Sequence, residues 1–288
     1  MYAITGITGK IGSAIAERLL SLNLPVRAVM GDLGKAEKWA ARGCEIAIAD
    51  LSDADALARA FSKTDGVFIL PPPNFEPQPG FPEIRQLAAA LSTALTAARP
   101  GKVVSVSTIG AQANQVNLLS QHTILEGTLS KLSLPIIFLR PAWFMENAAW
   151  DVAPARDTGC LPSFLQPLDK PVPMVATIDI GEIAASLLQE NWTGKRIVEL
   201  EGPRRITPNE IAATFTKILG RPVYAEAVPR ESWGALFTAQ GMNDPMPRIQ
   251  MLDGFNEGWI GFEGTDDQVL KGKTEFETVL RNLVAQAG

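Results

Sequence analysis

The residues best suited to chemistry form a glycine motif near the start of the chain. Gly6, Gly9 and Gly12 follow the spacing G-x-x-G-x-x-G between a short apolar run and a helical pattern. Because glycine has no Cβ, a diphosphate can approach the backbone N–H groups at a helix N-terminus, where the helix dipole favours negative charge. The motif predicts a dinucleotide site, with a tight turn as the alternative. A Walker loop is excluded because Ile11, not Ser or Thr, follows Lys10.

The predicted cofactor-binding residues follow successive strands. In a doubly wound parallel sheet the ligand lies at the carboxyl ends of the strands, where the strand order reverses. We expect Asp50 and Leu51 to flank adenine, and 71–73 and Ser107 to lie toward the nicotinamide, although the prolines are equally consistent with a rigid loop. The predicted set is Gly6, Thr8, Gly9, Lys10, Ile11, Gly12, Gly31, Lys35, Asp50, Leu51, Pro71, Pro72 and Ser107.

The choice between NAD and NADP depends on the end of the second strand. An acidic residue there favours the ribose hydroxyls of NAD, whereas positive charge favours the 2′-phosphate of NADP. The sequence carries Asp32 but also Lys35, with Lys10 in the glycine turn. These signals conflict, since both lysines are equally explained as solvated surface residues. We predict NADP(H) in preference to NAD(H).

The elements that must hold this site alternate between strands and helices. Strands are predicted at 2–5, 26–30, 45–49, 66–70, 102–107 and 136–140, with a helix between each pair. Right-handed crossovers then place helices on both faces of a mainly parallel sheet. The predicted fold is α/β, a Rossmann-type doubly wound parallel sheet with a smaller α/β C-terminal subdomain.

Two domains are expected. Residues 1–150 form the predicted NAD(P)-binding domain, which also receives strands and a helix from about 174–202, and residues 151–288 form a smaller substrate-covering part. Ser52 with Asp55 predicts a capping box for the helix 53–62, and Thr207 with Glu210 predicts another.

The composition excludes other functions. Lys and Arg number 26 against 31 Asp and Glu, so the net charge of −5 and the lack of basic clusters argue against direct nucleic-acid binding. His122, Cys44 and Cys160 are the only His and Cys residues and lack metal-site spacing, so no metal is predicted. No apolar run approaches the ~20 residues that span a bilayer. Isolated cysteines without a recognisable signal peptide favour a cytoplasmic protein.

Several motifs together resemble one family. The glycine motif, VSVSTIGA (104–111), HTILE (122–126), LRPAWFMEN (139–147) and TPNEIAATFTKILGRPV (207–223) are similar in order and spacing to the NmrA-like family of atypical short-chain dehydrogenases/reductases. That family includes NAD(P)H:quinone reductases and nucleotide-sensing transcriptional co-regulators. Many members carry Arg where this chain has Gly31, which leaves Lys10 and Lys35 as the candidates for a 2′-phosphate.

The resemblance places His122 and Glu126 where most short-chain dehydrogenases carry Tyr-x-x-x-Lys. Neither Tyr2 nor Tyr224 is followed by Lys four residues later. An imidazole with an unperturbed pKa of ~6.5 can supply a proton or a hydrogen bond near neutral pH. The predicted catalytic residues are therefore His122, Ser107 and Glu126, with Glu126 either orienting His122 or simply solvated.

The segment after the sixth strand lines the substrate pocket in family members. Here it supplies Trp143, Phe144 and Asn147, which are the predicted substrate residues. Flat side chains suit a planar acceptor such as a quinone, although core packing explains them equally well.

Two functions are consistent with these features. The first is an oxidoreductase that passes hydride from NAD(P)H to a quinone-like or conjugated carbonyl small molecule. The second is a catalytically silent NAD(P) sensor that acts through a regulatory protein partner, which the missing Tyr/Lys pair motivates. A sugar-nucleotide epimerase is disfavoured because it requires that pair. A monomer and a homodimer are both consistent with the sequence.

Overall fold

A computed structural model describes residues 1–287, which divide into two compact units. Unit 1 contains Met1–Thr108, Gln121–Arg140 and Ile180–Val198. Unit 2 contains Ile109–Ser120, Pro141–Asp179 and the chain from Glu199 onward. The predicted boundary near residue 150 remains a prediction.

The elements follow the predicted alternation. The first are β1 (Tyr2–Thr5), α1 (Lys10–Ser21), β2 (Val26–Met30), α2 (Ala36–Ala40), β3 (Glu45–Ile48), α3 (Ala54–Phe61), β4 (Gly66–Ile69), α4 (Pro82–Ala98), β5 (Val103–Val106), α5 (Ser120–Leu129) and β6 (Ile136–Pro141). The rest are β7 (Trp143–Phe144), α6 (Val152–Asp157), β8 (Cys160–Ser163), β9 (Met174–Val175), α7 (Thr177–Gln189), β10 (Lys195–Glu201), α8 (Pro208–Leu219), β11 (Tyr224–Ala227), α9 (Trp233–Ala239), α10 (Met246–Glu257), β12 (Leu270–Lys271) and α11 (Phe276–Gln286). Short 3-10 helices occupy Leu33–Lys35, Met145–Asp151 and Arg230–Ser232.

An eight-stranded sheet has the order β12-β10-β6-β5-β4-β1-β2-β3. The pairs from β3 through β6 are parallel, as is the pair of β10 with β12. The order 3-2-1-4-5-6 belongs to doubly wound sheets, which bind ligands where the order reverses beside the first strand. The predicted fold class is confirmed.

The core of unit 1 explains why its strands are nearly all apolar. The strands β4 and β5 are buried along their whole length. Helices α3 and α4 cover one side of the sheet with apolar side chains that include Leu57, Phe61 and Leu91. A parallel strand that is covered on both faces has no side exposed to solvent, so its sequence is a nearly continuous apolar run.

One predicted helix cap is correct and the other is wrong. Thr207 and Glu210 form the expected reciprocal capping box of α8. In contrast, α3 is capped by Asp53, whose carboxylate accepts a hydrogen bond from the Ala56 N–H at 2.9 Å. Ser52 does not cap the helix, because its hydroxyl donates to Asp50 Oδ1 at 2.6 Å.

Unit 2 has its own apolar core. Helix α11 contributes a buried stripe of Phe276, Val279, Leu280 and Leu283. Two small parallel sheets, β8 with β11 and β7 with β9, complete the unit. Within residues 1–287, no helix has both the length and the apolar character needed to cross a membrane. The same residues contain no group of three or more His, Cys, Asp or Glu side chains arranged to hold a metal ion.

Candidate functional site

The glycine turn between β1 and α1 is closely packed on itself. Gly6 has a φ of +63°, which side chains rarely adopt, and the Gly9 N–H donates to the Gly6 carbonyl at 3.0 Å. A Cβ on Gly12 would lie 2.3 Å from the Gly6 oxygen, a contact no real Cβ makes. Two of the three motif glycines are therefore required by the backbone itself, whereas Gly9 has ordinary space around it.

The N-terminus of α1 suits an anion. The N-cap of the helix is Gly9, which has no side chain to cap it, and its first turn contains no acidic residue. The backbone N–H groups of this turn therefore have no side-chain acceptor of their own. A diphosphate held here would accept those hydrogen bonds and interact favourably with the helix dipole.

A cavity of about 580 Å³ lies in unit 1 at the carboxyl ends of its first strands. Of the predicted cofactor residues, it brings together Gly6, Thr8, Gly31, Lys35, Asp50, Leu51 and Pro72. The predicted residues Gly9, Lys10, Ile11, Gly12, Pro71 and Ser107 do not line it. The sequence reasoning missed Glu83, Gln86 and Leu87, because the proline-rich segment before α4 gives no sign of where that helix returns.

The charged residues that line this cavity are mostly acidic. Its charged side chains are Asp32, Asp50, Glu83 and Lys35. Asp32 Oδ1 accepts from the Gly34 N–H at 2.8 Å. Hydrogen bonds from the hydroxyl and N–H of Ser52 lower the pKa of Asp50, which keeps it ionised. A 2′-phosphate would therefore meet one cation among three carboxylates.

The carboxyl end of β5 carries polar atoms without partners. Among the described residues, the hydroxyls of Ser105 and Ser107 and the Nδ1 atom of His122 are buried and make no hydrogen bond. Buried polar atoms are normally satisfied, so an unsatisfied group marks a site that a ligand or water completes. These serines and the histidine lie outside the cavity lining but belong to the same unit.

His122 is neutral at physiological pH. Burial lowers its pKa to about 4, outweighing the negative charge of Glu126 and a hydrogen bond to the Val106 carbonyl, which both raise it. The Val106 carbonyl accepts a hydrogen bond from the imidazole ring, and Nδ1 has no partner among the described residues. The donating atom is therefore Nε2, which carries the proton of the neutral ring. The unperturbed pKa used in the sequence reasoning is therefore wrong for this ring, and Nδ1 is a hydrogen-bond acceptor.

Glu126 is held by a residue that the sequence reasoning did not select. Arg140 at the end of β6 donates from Nε to Oε1 at 2.9 Å and from Nη2 to Oε2 at 2.7 Å. Arg140 is only 3% exposed, so the pair is buried. A charged residue that ends an apolar strand was the available signal, since a buried Arg needs a partner. Glu126 thus acts on His122 through its charge while Arg140 holds it.

The predicted substrate residues belong to unit 2. Trp143 packs edge-on against Phe255 of α10, with ring centroids 5.3 Å apart, and is half-buried. Phe144 precedes the 3-10 helix Met145–Asp151, on which Asn147 is also half-buried. Residues three apart eclipse in such a helix, so Asn147 shares a face with the exposed Trp150.

The parallel sheet order, the glycine turn and the cavity beside it define a Rossmann-type dinucleotide-binding protein. The NmrA-like family model matches residues 2–254, and the chain belongs to that family.

Relatives in this family include named reductases. The chain is 27% identical over 259 residues to an NAD(P)H azoreductase of Xenophilus azovorans, covering 89% of this chain and 85% of that protein. It is 24% identical over 250 residues to quinone oxidoreductase 2 of Escherichia coli (strain K12), covering 85% and 83%. The structure of an E. coli NADPH-dependent quinone oxidoreductase with NADPH has a TM-score of 0.80 at 22% identity, covering 98% and 99% of the two chains.

Proposed function

We propose that this protein is an NAD(P)H-dependent reductase that passes hydride to a quinone-like or conjugated carbonyl small molecule. The observation that carries the proposal is the unit 1 cavity beside the Gly6–Gly12 turn, in which a Cβ on Gly12 would collide with the backbone of Gly6. Such a turn leaves α1 open to a diphosphate. Reduction of azo and quinone compounds by the relatives named above supports the reaction class.

The protein's contribution to such a reaction is position and hydrogen bonding. A bound nicotinamide dinucleotide supplies the hydride. In our proposal the Ser107 hydroxyl donates a hydrogen bond to the acceptor carbonyl or the cofactor carboxamide, and His122 Nδ1 accepts one. Because His122 is neutral, water supplies the proton to the reduced acceptor. Trp143, Phe144 and Asn147 are proposed to contact the acceptor.

We propose that NADPH is preferred, but only weakly. Lys35 is the cation on the cavity lining, and a Cβ on Gly31 would meet no described atom within 4 Å, which leaves room for a 2′-phosphate. Asp32, Asp50 and Glu83 oppose that phosphate. Lys35→Ala should therefore weaken NADPH binding severalfold and leave NADH binding unchanged, as measured by fluorescence titration. Equal losses for both cofactors would contradict this role.

The experiment for the function itself is steady-state oxidation of NADPH and NADH with a naphthoquinone as acceptor. Wild type should turn over. Gly9→Asp should abolish turnover, because a carboxylate would occupy the diphosphate position, and His122→Ala should reduce it strongly. Gly234→Asp, which adds the same charge at an open position on α9, is the matched control. Tight cofactor binding without turnover across an acceptor panel would refute the reductase and favour the sensor.

A further inference from the structure

Arg248 lies between two aromatic rings in unit 2. Its guanidinium carbon is 4.3 Å from the ring centroid of Phe237 and 5.9 Å from that of Trp150. Phe237 is fully buried, whereas Trp150 is 62% exposed, so the site opens on the Trp150 side. Both distances are within the range of a cation–π contact.

No carboxylate or other acceptor among the described residues pairs with Arg248. Within residues 1–287, Arg248 interacts with the two rings and forms no hydrogen bond or ion pair, and burial lowers the pKa of its guanidinium. A guanidinium has five N–H donors, and those of Arg248 donate to no acceptor among the described residues. A partly buried cation of this kind is costly unless something binds its edge.

The position of Arg248 on α10 is also unusual. Met251, Leu252 and Phe255 follow it at spacings of three, four and seven, and all three are buried. Arg248 therefore occupies a place in the apolar stripe of this helix. A charge placed on an apolar face breaks the local pattern, which is expected at functional sites.

The stripe connects Arg248 to the predicted substrate residues. Phe255 lies two turns farther along the same face, about 10 Å at the helical rise of 1.5 Å per residue. Trp143 packs against Phe255, and Trp150, which flanks Arg248, shares its face of the 3-10 helix with Asn147. Aromatic surface and an unpaired cation thus lie about 10 Å apart.

We propose that Arg248 binds an anionic carboxylate or sulfonate group on an aromatic hydride acceptor, through paired hydrogen bonds from the edge of its guanidinium. A carboxylate and a sulfonate both present two neighbouring oxygens that can accept parallel hydrogen bonds from a guanidinium, as carboxylate and phosphate groups do. This inference rests on the proposed function for the identity of the ligand as acceptor.

The test is calorimetric binding to the full chain of two probes of similar shape, a naphthalenesulfonate and the uncharged naphthalenemethanol. Wild type should bind the sulfonate more tightly. Arg248→Met, which keeps apolar bulk beside Phe237, should weaken sulfonate binding at least about tenfold and change naphthalenemethanol binding less than about twofold. Arg281→Met removes an exposed Arg of α11 and should change neither.

A second variant addresses folding. Arg248→Lys keeps the charge but loses the paired donors, so sulfonate affinity should fall between those of wild type and Arg248→Met. If Arg248→Met does not fold, the comparison of wild type with Arg248→Lys replaces it, and equal affinities there would overturn the proposal.

The proposal would also be overturned if wild type bound naphthalenesulfonate and naphthalenemethanol equally well, or bound neither of them. The proposed function is tested separately by turnover. With naphthoquinone and naphthoquinonesulfonate as acceptors, Arg248→Met should raise KM for the sulfonated acceptor only. Arg248-dependent binding of naphthalenesulfonate without quinone turnover would refute the reductase and support an anion site.

Discussion

Replacing Arg140 by Met should destabilise unit 1 and change the protonation of His122 in a defined direction. Arg140 and Glu126 form a paired, two-bond contact between β6 and α5, and their side chains are 4% and 13% exposed. The Met side chain fills part of the space but leaves the Glu126 carboxylate buried without its cation.

The expected cost follows from this burial. Breaking a buried ion pair by removing one partner costs about 3–5 kcal/mol, whereas replacing both partners by apolar residues is often nearly neutral. We therefore expect Arg140→Met to lower the free energy of unfolding by about 3 kcal/mol, and the double variant with Glu126→Leu to recover most of that loss. Arg18→Met is the control, since its pair with Glu182 is exposed and should contribute less than about 1 kcal/mol.

The second readout is the pKa of His122, followed by ¹⁵N NMR. The chain contains a single histidine, so its imidazole signals need no assignment. Glu126 raises the pKa of His122 through its charge. Removing Arg140 leaves that charge uncompensated, so the pKa should rise from about 4. Glu126→Gln should lower it instead.

If Arg140→Met and Glu126→Gln shift the pKa of His122 in opposite directions, the ion pair acts on His122 by electrostatics and not by packing. Shifts of the same sign, or a coupling energy in the double-mutant cycle below about 0.5 kcal/mol, would refute the reasoning. Chemical denaturation and the NMR titration together provide both measurements.

Three further outcomes are expected. Gly12→Ala should abolish detectable cofactor binding in a fluorescence titration and lower the free energy of unfolding by about 1–3 kcal/mol or more. Gly9→Ala should retain the wild-type fold, because its Cβ would lie 3.4 Å from the Gly6 carbonyl oxygen. Equal effects of the two substitutions would contradict the geometry of the turn. The pKa of His122 is lower in the folded protein, about 4, than its unperturbed value of ~6.5. The free energy of unfolding should therefore fall by up to about 3 kcal/mol as the pH drops from ~6.5 to about 4, because the unfolded chain takes up the proton first. Unfolding of His122→Gln should depend less on acid pH than that of wild type, since this titration is absent. Burial raises the pKa of Asp151 to about 7, so the free energy of unfolding should fall as the pH rises from ~4 to 7. The Asp151→Asn variant should be more stable than wild type by up to about 4 kcal/mol at pH ~8 and should have similar stability near pH ~4. A difference in stability that does not change with pH would contradict the raised pKa.

Local pattern determined much of this protein. The alternation of apolar runs with helical spacing predicts the Rossmann-type sheet, because strands buried on both faces must be apolar throughout. The glycine spacing predicts the turn before α1, and Thr207 with Glu210 predicts the start of α8, because both depend on residues within one turn of each other.

Only the tertiary structure decided which distant side chains meet. Glu83 reaches the cavity because α4 packs against α3 after a long loop, and Arg140 reaches Glu126 because β6 lies beside α5. Arg248 meets Phe237 and Trp150 in the same way, from three separate elements. The pKa of His122 follows from burial, which no local pattern measures. Pairing and desolvation depend on long-range packing, so charge and protonation at these sites are properties of the fold and not of the motifs.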